Sequence, residues 1–165
     1  MLRPYLGPGV RVVGRGSSDV WYRGPFSLAS GTGAVAIGLR SESLGENTGA
    51  IGTGARATNS VAVGAGAQAA LGGTSIGDNS QAIQFSRSVA LGDGAVANRA
   101  GMNGATEKYS NVAVASTAGA VSVGNVGDER QITNVAGGTA ATDAVNVRQL
   151  DAVSGSVTNL TNIVS

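Results

Sequence analysis

The residues able to do chemistry are few and dispersed. The chain has no histidine and no cysteine. That removes the commonest general base, the commonest metal ligand, thiolate metal sites and disulfides. Ten acidic residues remain. Glu42, Glu46, Asp78, Asp93 and Glu107 are scattered, and the adjacent pair Asp128–Glu129 lies outside the repeated part of the chain. Hydrolysis by paired carboxylates needs two acids facing each other across about 5–10 Å, and no such pair rides on a repeat. The sequence is therefore not read as an enzyme: no catalytic residue, metal ligand or cofactor is assigned. Net charge is +1 with dispersed arginines, so there is no basic stripe for nucleic acid. No run of 18 apolar residues exists to cross a bilayer as a helix.

The elements that would carry any site are set by a repeat of apolar-Ala-apolar-Gly. Val35-Ala36-Ile37-Gly38, Gly49-Ala50-Ile51-Gly52, Val61-Ala62-Val63-Gly64, Thr74-Ser75-Ile76-Gly77 and Val89-Ala90-Leu91-Gly92 follow one another, and Val112-Ala113-Val114-Ala115 and Val121-Ser122-Val123-Gly124 complete the series. Successive glycines at 38, 52, 64, 77 and 92 lie 12 to 15 residues apart. Such a period predicts a parallel β-roll in which each coil holds two short strands and two turns, with coils stacked about 4.8 Å apart. Glycine and alanine supply 27 and 26 of the 165 residues, so the space between the sheets must be narrow. Ala36, Ala50, Ala62, Ser75, Ala90, Ala113 and Ser122 are expected inside. Val35, Ile37, Ile51, Val61, Val63, Ile76, Val89, Leu91, Val112, Val114, Val121 and Val123 are then expected outside, as a stripe that needs a partner surface. The inverse orientation, with bulky residues inside, is the alternative. Gly72 to Asp78 has the composition of a calcium-binding nonapeptide turn, but it occurs once and lacks the repeat spacing.

Residues 1–30, broken by Pro4, Pro8 and Pro25, are expected to be irregular and to cap the roll. Val10–Val13 is a candidate strand, and Trp21, Tyr22 and Phe26 form either the cap or an aromatic binding patch. The roll is placed at 31–124, with an insertion at about 98–111 that is either a binding loop or a decoration. The next region, 125–149, is polar and takes Glu129, Arg130, Gln131, Asp143 and Arg148 as its characteristic residues; Asp128, Glu129, Arg130, Asp143 and Arg148 either pair between subunits or are solvated surface. Thr142-Asp143 is expected to cap a helix. From 150 to 165, Leu150, Val153, Val157, Leu160 and Val164 step by three and four, a coiled-coil seam at the start of a longer stalk.

Asn59-Ser60-Val61-Ala62-Val63-Gly64 and Arg87-Ser88-Val89-Ala90-Leu91-Gly92 resemble the head repeats of trimeric autotransporter adhesins of the YadA-like type. Gly127 to Ala136 and Thr142 to Leu150 are similar to that family's neck. The resemblance covers about residues 31–165 and implies a left-handed parallel β-roll, a homotrimer, and a neck in which each chain crosses toward a neighbour. It implies attachment to host extracellular matrix or host cells from the bacterial surface, with a C-terminal β-barrel as anchor. Its alternative is a spacer or fibre-like trimer with no ligand of its own. Gly49, Thr74, Ala115 and Gly138 depart from the family's usual residues. The ligand-binding residues are unknown at this stage.

Overall fold

The computed structural model describes residues 11–13, 22–23 and 25–164. The chain divides into two compact units between Glu129 and Arg130.

The first unit is a parallel β-solenoid. Its strands are β1 (Arg11–Val13), β2 (Tyr22–Arg23), β3 (Leu28–Ser30), β4 (Val35–Ile37), β5 (Glu42–Leu44), β6 (Gly49–Ile51), β7 (Arg56–Thr58), β8 (Val61–Val63), β9 (Gln68–Ala69), β10 (Thr74–Ile76), β11 (Gln81–Ala82), β12 (Val89–Leu91) and β13 (Val121–Ser122). Odd strands build one sheet in the order β1-β3-β5-β7-β9-β11; the other runs β13-β12-β10-β8-β6-β4-β2. The chain thus alternates between two sheets, and every ladder pairs a strand with its counterpart one coil away. The register keeps like positions in columns: Ala36 pairs with Ala50, Ala50 with Ala62, Ala62 with Ser75 and Ser75 with Ala90.

The columns explain the composition. In each strand the middle residue points inward and its neighbours outward, the period-two rule of extended chain. Ala36, Ala50, Ala62, Ser75 and Ala90 are completely buried. The residue two places earlier is buried as well, as at Ala34, Thr48, Ser60 and Ser88. Apart from Thr48, the buried side chains among the described residues are all alanine or serine, so the space between the sheets is narrow. Buried hydroxyls still need partners. Ser41, Thr48, Ser80 and Ser88 each donate to the carbonyl three residues back, at 2.9, 3.1, 2.7 and 2.9 Å. Ser43 meets Thr48, and Ser75 meets Ser80, at 2.6 Å. These bonds close the turns from inside.

The glycine that ends each strand of the second sheet has a steric reason. Gly64 sits at φ 133°, a region closed to most side chains. A Cβ there would lie 2.5 Å from the carbonyl of Gly77 on the next coil. The same stacking recurs at Gly38, Gly52 and Gly77, so coils can approach only where this atom is missing.

The roll departs from the sequence expectations at both ends. It begins before residue 31, because β1 and β3 pair in one sheet and β2 and β4 in the other; residues 1–30 are therefore not simply a cap. Of the aromatic trio, Trp21 and the side chain of Tyr22 lie outside the described residues, and Phe26 is exposed at φ 60°. At the other end the excursion runs to about residue 120, because β12 pairs directly with β13. Val112-Ala113-Val114-Ala115 is therefore not a coil strand.

The second unit carries α1 (Val147–Val164). Its N-cap is Asn146, not Thr142-Asp143. The Gln149 N–H donates to Asn146 Oδ1 at 3.2 Å, and the Asn146 N–H donates to Gln149 Oε1 at 3.4 Å. This reciprocal pair is a capping box, and it starts the helix before residue 150.

Candidate interaction surfaces

The two outer faces of the roll differ in chemistry. On the even-numbered sheet the outward positions are Val35, Ile37, Ile51, Val61, Val63, Ile76, Val89, Leu91 and Val121, with Val123 just beyond β13. Ile51, Val61, Ile76 and Leu91 are 40, 41, 44 and 38% exposed. Gly49 and Thr74 interrupt the stripe on one edge. On the odd-numbered sheet the outward residues include Glu42, Arg56, Thr58, Gln68 and Gln81. Glu42 and Arg56, opposite each other in the ladder, form an ion pair at 3.2 Å. The sequence reading followed the apolar sheet and left this polar one without residues. Its signal was present in the buried series Ala29, Ser43, Ala57, Ala69 and Ala82.

Three expected site residues fall elsewhere. Ala113 is exposed, not interior, and forms an antiparallel bridge with Thr106. Val112 and Val114 belong to the same excursion and are not part of the sheet stripe. β4, β6, β8, β10 and β12 are each followed by a glycine at φ 114–133°, a conformation unsuited to alanine; the motif with Ala115 in that place folds back as a hairpin. Ser122 lies in β13 and is half-buried.

The excursion is ordered by backbone bonds. Glu107 N–H donates to Val112 O at 2.8 Å, Val114 N–H to Ala105 O at 3.0 Å, and Asn103 N–H to Ser116 O at 2.8 Å. Its base is held by Gly119 N–H to Ser86 O at 2.8 Å and Ala120 N–H to Arg99 O at 3.0 Å, with the Arg87 guanidinium on the Thr117 hydroxyl. At the tip, Ser110 Oγ donates to Glu107 Oε2 at 2.6 Å. The Lys108 ammonium lies 5.0 Å from the centre of the Tyr109 ring.

In the second unit, Gln149 does more than cap. Its amide donates to Gly138 O and accepts from Gly138 N–H, both at 2.9 Å, so one side chain imitates a ladder partner. A Cβ on Gly138 would lie 2.9 Å from that of Asp143 and 3.0 Å from Ala144 O. The departure to glycine at 138 is thus required by this loop. Asp143 accepts from the N–H groups of Thr139 and Ala140 at 2.9 and 3.0 Å. Those bonds hold its carboxyl below its ordinary value. In the first unit, the Gly127 N–H does the same to Glu129, at 3.0 Å. Glu129, Arg130, Gln131 and Arg148 are all exposed.

Ile132, Val135, Ala144, Val145 and Val147 line a groove of about 470 Å³. No residue of α1 is buried. Leu150, Val153, Val157, Leu160 and Val164 are all exposed on it, a seam with nothing against it in the single chain. Among the described residues, no group of three or more acids could hold a metal ion. Among the described residues, no helix is long and apolar enough to cross a membrane.

A two-sheet roll with small residues inside, followed by a polar neck and a helix with an open seam, defines a head joined to a coiled stalk. Residues 131–165 match the family model described as the coiled stalk of trimeric autotransporter adhesin. Over 143 residues the chain is 38% identical to the autotransporter adhesin EhaG of Escherichia coli O157:H7, covering 82% of this chain. It spans 8% of the length of that relative. The chain belongs to the trimeric autotransporter adhesins. Among solved structures, the C-terminal YadA-like domain of BPSL2063 from Burkholderia pseudomallei is 36% identical, with 63% of this chain and 46% of that chain covered and a TM-score of 0.44. The collagen-binding domain of the Yersinia adhesin YadA is 29% identical, with 81% and 86% covered and a TM-score of 0.43. The relatives are adhesins, a family without enzymatic activity.

Proposed function

We infer that this chain is the head, neck and first stalk turns of a homotrimer on the bacterial surface. It attaches the cell to host extracellular matrix or host cells. The observation that carries this is the apolar stripe of one sheet together with the open seam of α1: both surfaces call for identical neighbours, and the small-residue core offers little compensation. Fully burying a valine or leucine stabilises by roughly 1.5–3 kcal/mol, so a column of such residues shared among three chains outweighs what buried methyl groups supply. The interface residues are Val35, Ile37, Ile51, Val61, Val63, Ile76, Val89, Leu91, Val121 and Val123 in the first unit and the seam of α1 in the second. Glu129, Arg130, Asp143 and Arg148 set the register between subunits. The outer-membrane position rests on the relatives.

Three copies on one shaft turn weak contacts into avidity by effective concentration, which suits attachment without a deep pocket. Light scattering on the purified chain is expected to give three times the chain mass. A folded monomer at micromolar concentration overturns the assembly. Binding of that trimer to immobilised collagen, fibronectin, laminin or cultured epithelial cells tests the attachment, and a trimer that binds none of them is a spacer.

A further inference from the structure

We propose that the hairpin at residues 99–119 is the finger through which the head contacts a protein partner, with Tyr109 as its anchor. The proposal rests on the attachment reading above and names the element that performs it.

Four observations carry it. The excursion is not needed by the roll, since β12 pairs with β13 across it as though it were absent. Even so it is cross-bonded along its length and tied to the roll at its base, which restricts where its tip can lie before binding. Preorganisation of this kind lowers the cost of association.

The tip also presents a large side chain that does nothing for the fold. Tyr109 is 90% exposed and sits at φ 75°. Glycine would make the same turn without the steric cost. Phe26 and Leu71 also place exposed apolar side chains on positive-φ turns, but at 59 and 57% they are far less exposed than Tyr109, and strain of this kind gathers at contact sites. The Lys108 ammonium covers one face of the ring, while the high exposure leaves the other face and the hydroxyl open.

The composition points to the class of partner. Asn98 to Asn111 contains Arg, Met, Tyr, Ser, Asn and Gly. Tyrosine, methionine and arginine are enriched in protein interfaces, and Tyr, Ser, Gly and Asn dominate loops that recognise proteins. A single ring on a convex tip fits a depression in a protein surface; a glycan would need a platform or cleft around it. Lys108 and Arg99 outnumber Glu107, whose carboxylate is already engaged by Ser110. The complementary surface is therefore polar and mildly acidic.

The test uses the whole chain as purified, with immobilised collagen, fibronectin and laminin and with cultured epithelial cells as probes. Tyr109→Gly and Lys108→Glu are compared with Gln68→Ala on the polar sheet. Tyr109→Gly relaxes the turn, so melting should hold or rise while retention on the bound probe falls at least tenfold. Lys108→Glu should cost a smaller loss that shrinks as salt is raised, and Gln68→Ala should change neither.

Unchanged binding by Tyr109→Gly, with the unsubstituted chain bound, overturns the finger and leaves attachment standing. Failure of the unsubstituted chain to bind any probe overturns attachment and the finger together. Tyr109-dependent binding that disappears when the probe is enzymatically deglycosylated overturns the assignment to a protein surface.

Discussion

The two faces of the roll share one backbone and one interior, yet they solve different problems. On both, the inward residue is alanine or serine, and the sheet spacing dictates it. Outward, one sheet carries Val61, Ile76 and Leu91, while the other carries Glu42, Arg56, Gln68 and Gln81. The interior is therefore no guide to what the molecule meets. The outer pair in each strand decides whether a face seeks its own copy or water.

The largest effect should come from reversing that assignment. Val61→Asp with Ile76→Asp puts charge into the proposed subunit interface, and burying an unpaired charge is prohibitive. Light scattering should show dissociation to single chains. The matched pair Gln68→Asp with Gln81→Lys, opposite charges on paired positions of the polar face, should leave the mass unchanged and melting within about 0.5 kcal/mol. Dissociation by the polar-face pair would exchange the roles of the two faces.

Next is Gly64→Ala, which lies on neither face and should penalise both. The left-handed backbone costs roughly 1–2 kcal/mol, and the clash with Gly77 adds about 1–3 kcal/mol. Chemical denaturation of the trimer should show a loss near the sum. Ser75→Ala removes a partner from the Ser75–Ser80 pair, while Ser80 keeps its bond to Gly77 O. A cost of about 1 kcal/mol is expected, with assembly unaffected.

The smallest effect should come from Arg56→Gln, because exposed ion pairs contribute about 0–1 kcal/mol. Acid gives a separate, local reading in the second unit. Asp143 is held below its ordinary value of 3.8 by bonds from Thr139 and Ala140. A depressed folded value stabilises above the ordinary value and is lost as pH falls through the lowered one. Protection of the Thr139 and Ala140 amides, taken relative to their intrinsic exchange, should therefore be lost only as acid protonates Asp143, and Asp143→Ala should lack it at neutral pH.

Much of the head was legible because its constraint is local and repeated. A narrow interior admits only small side chains at alternate positions, and apolar-Ala-apolar-Gly records that directly. The other sheet was hidden because its outward residues mix Glu42, Arg56, Thr58, Gln68 and Gln81 with Leu28 and Leu44, so no apolar-Ala-apolar-Gly pattern marks the buried residue between them. Val112-Ala113-Val114 misled for the opposite reason: it has the letters of a coil strand but Ala115 in place of the glycine that makes the next step possible. The helix start was misplaced because Thr142-Asp143 and Asn146-Gln149 both look like caps. Only the reciprocal bonds of the second pair decide between them. Gln149 as a clamp on Gly138 had no sequence signal, since a long-range amide bond to backbone leaves no periodicity.

Since each coil bonds to the next through its backbone, those bonds run along the length of the roll. A pull transmitted end to end would load them one after another, not all together, so the weakest junction would open first. Each opened coil would pay out a dozen or so residues of slack before the next came under strain. A contact made beside β1 would be cushioned by that slack, whereas one made through the hairpin, which leaves the roll between β12 and β13, would not.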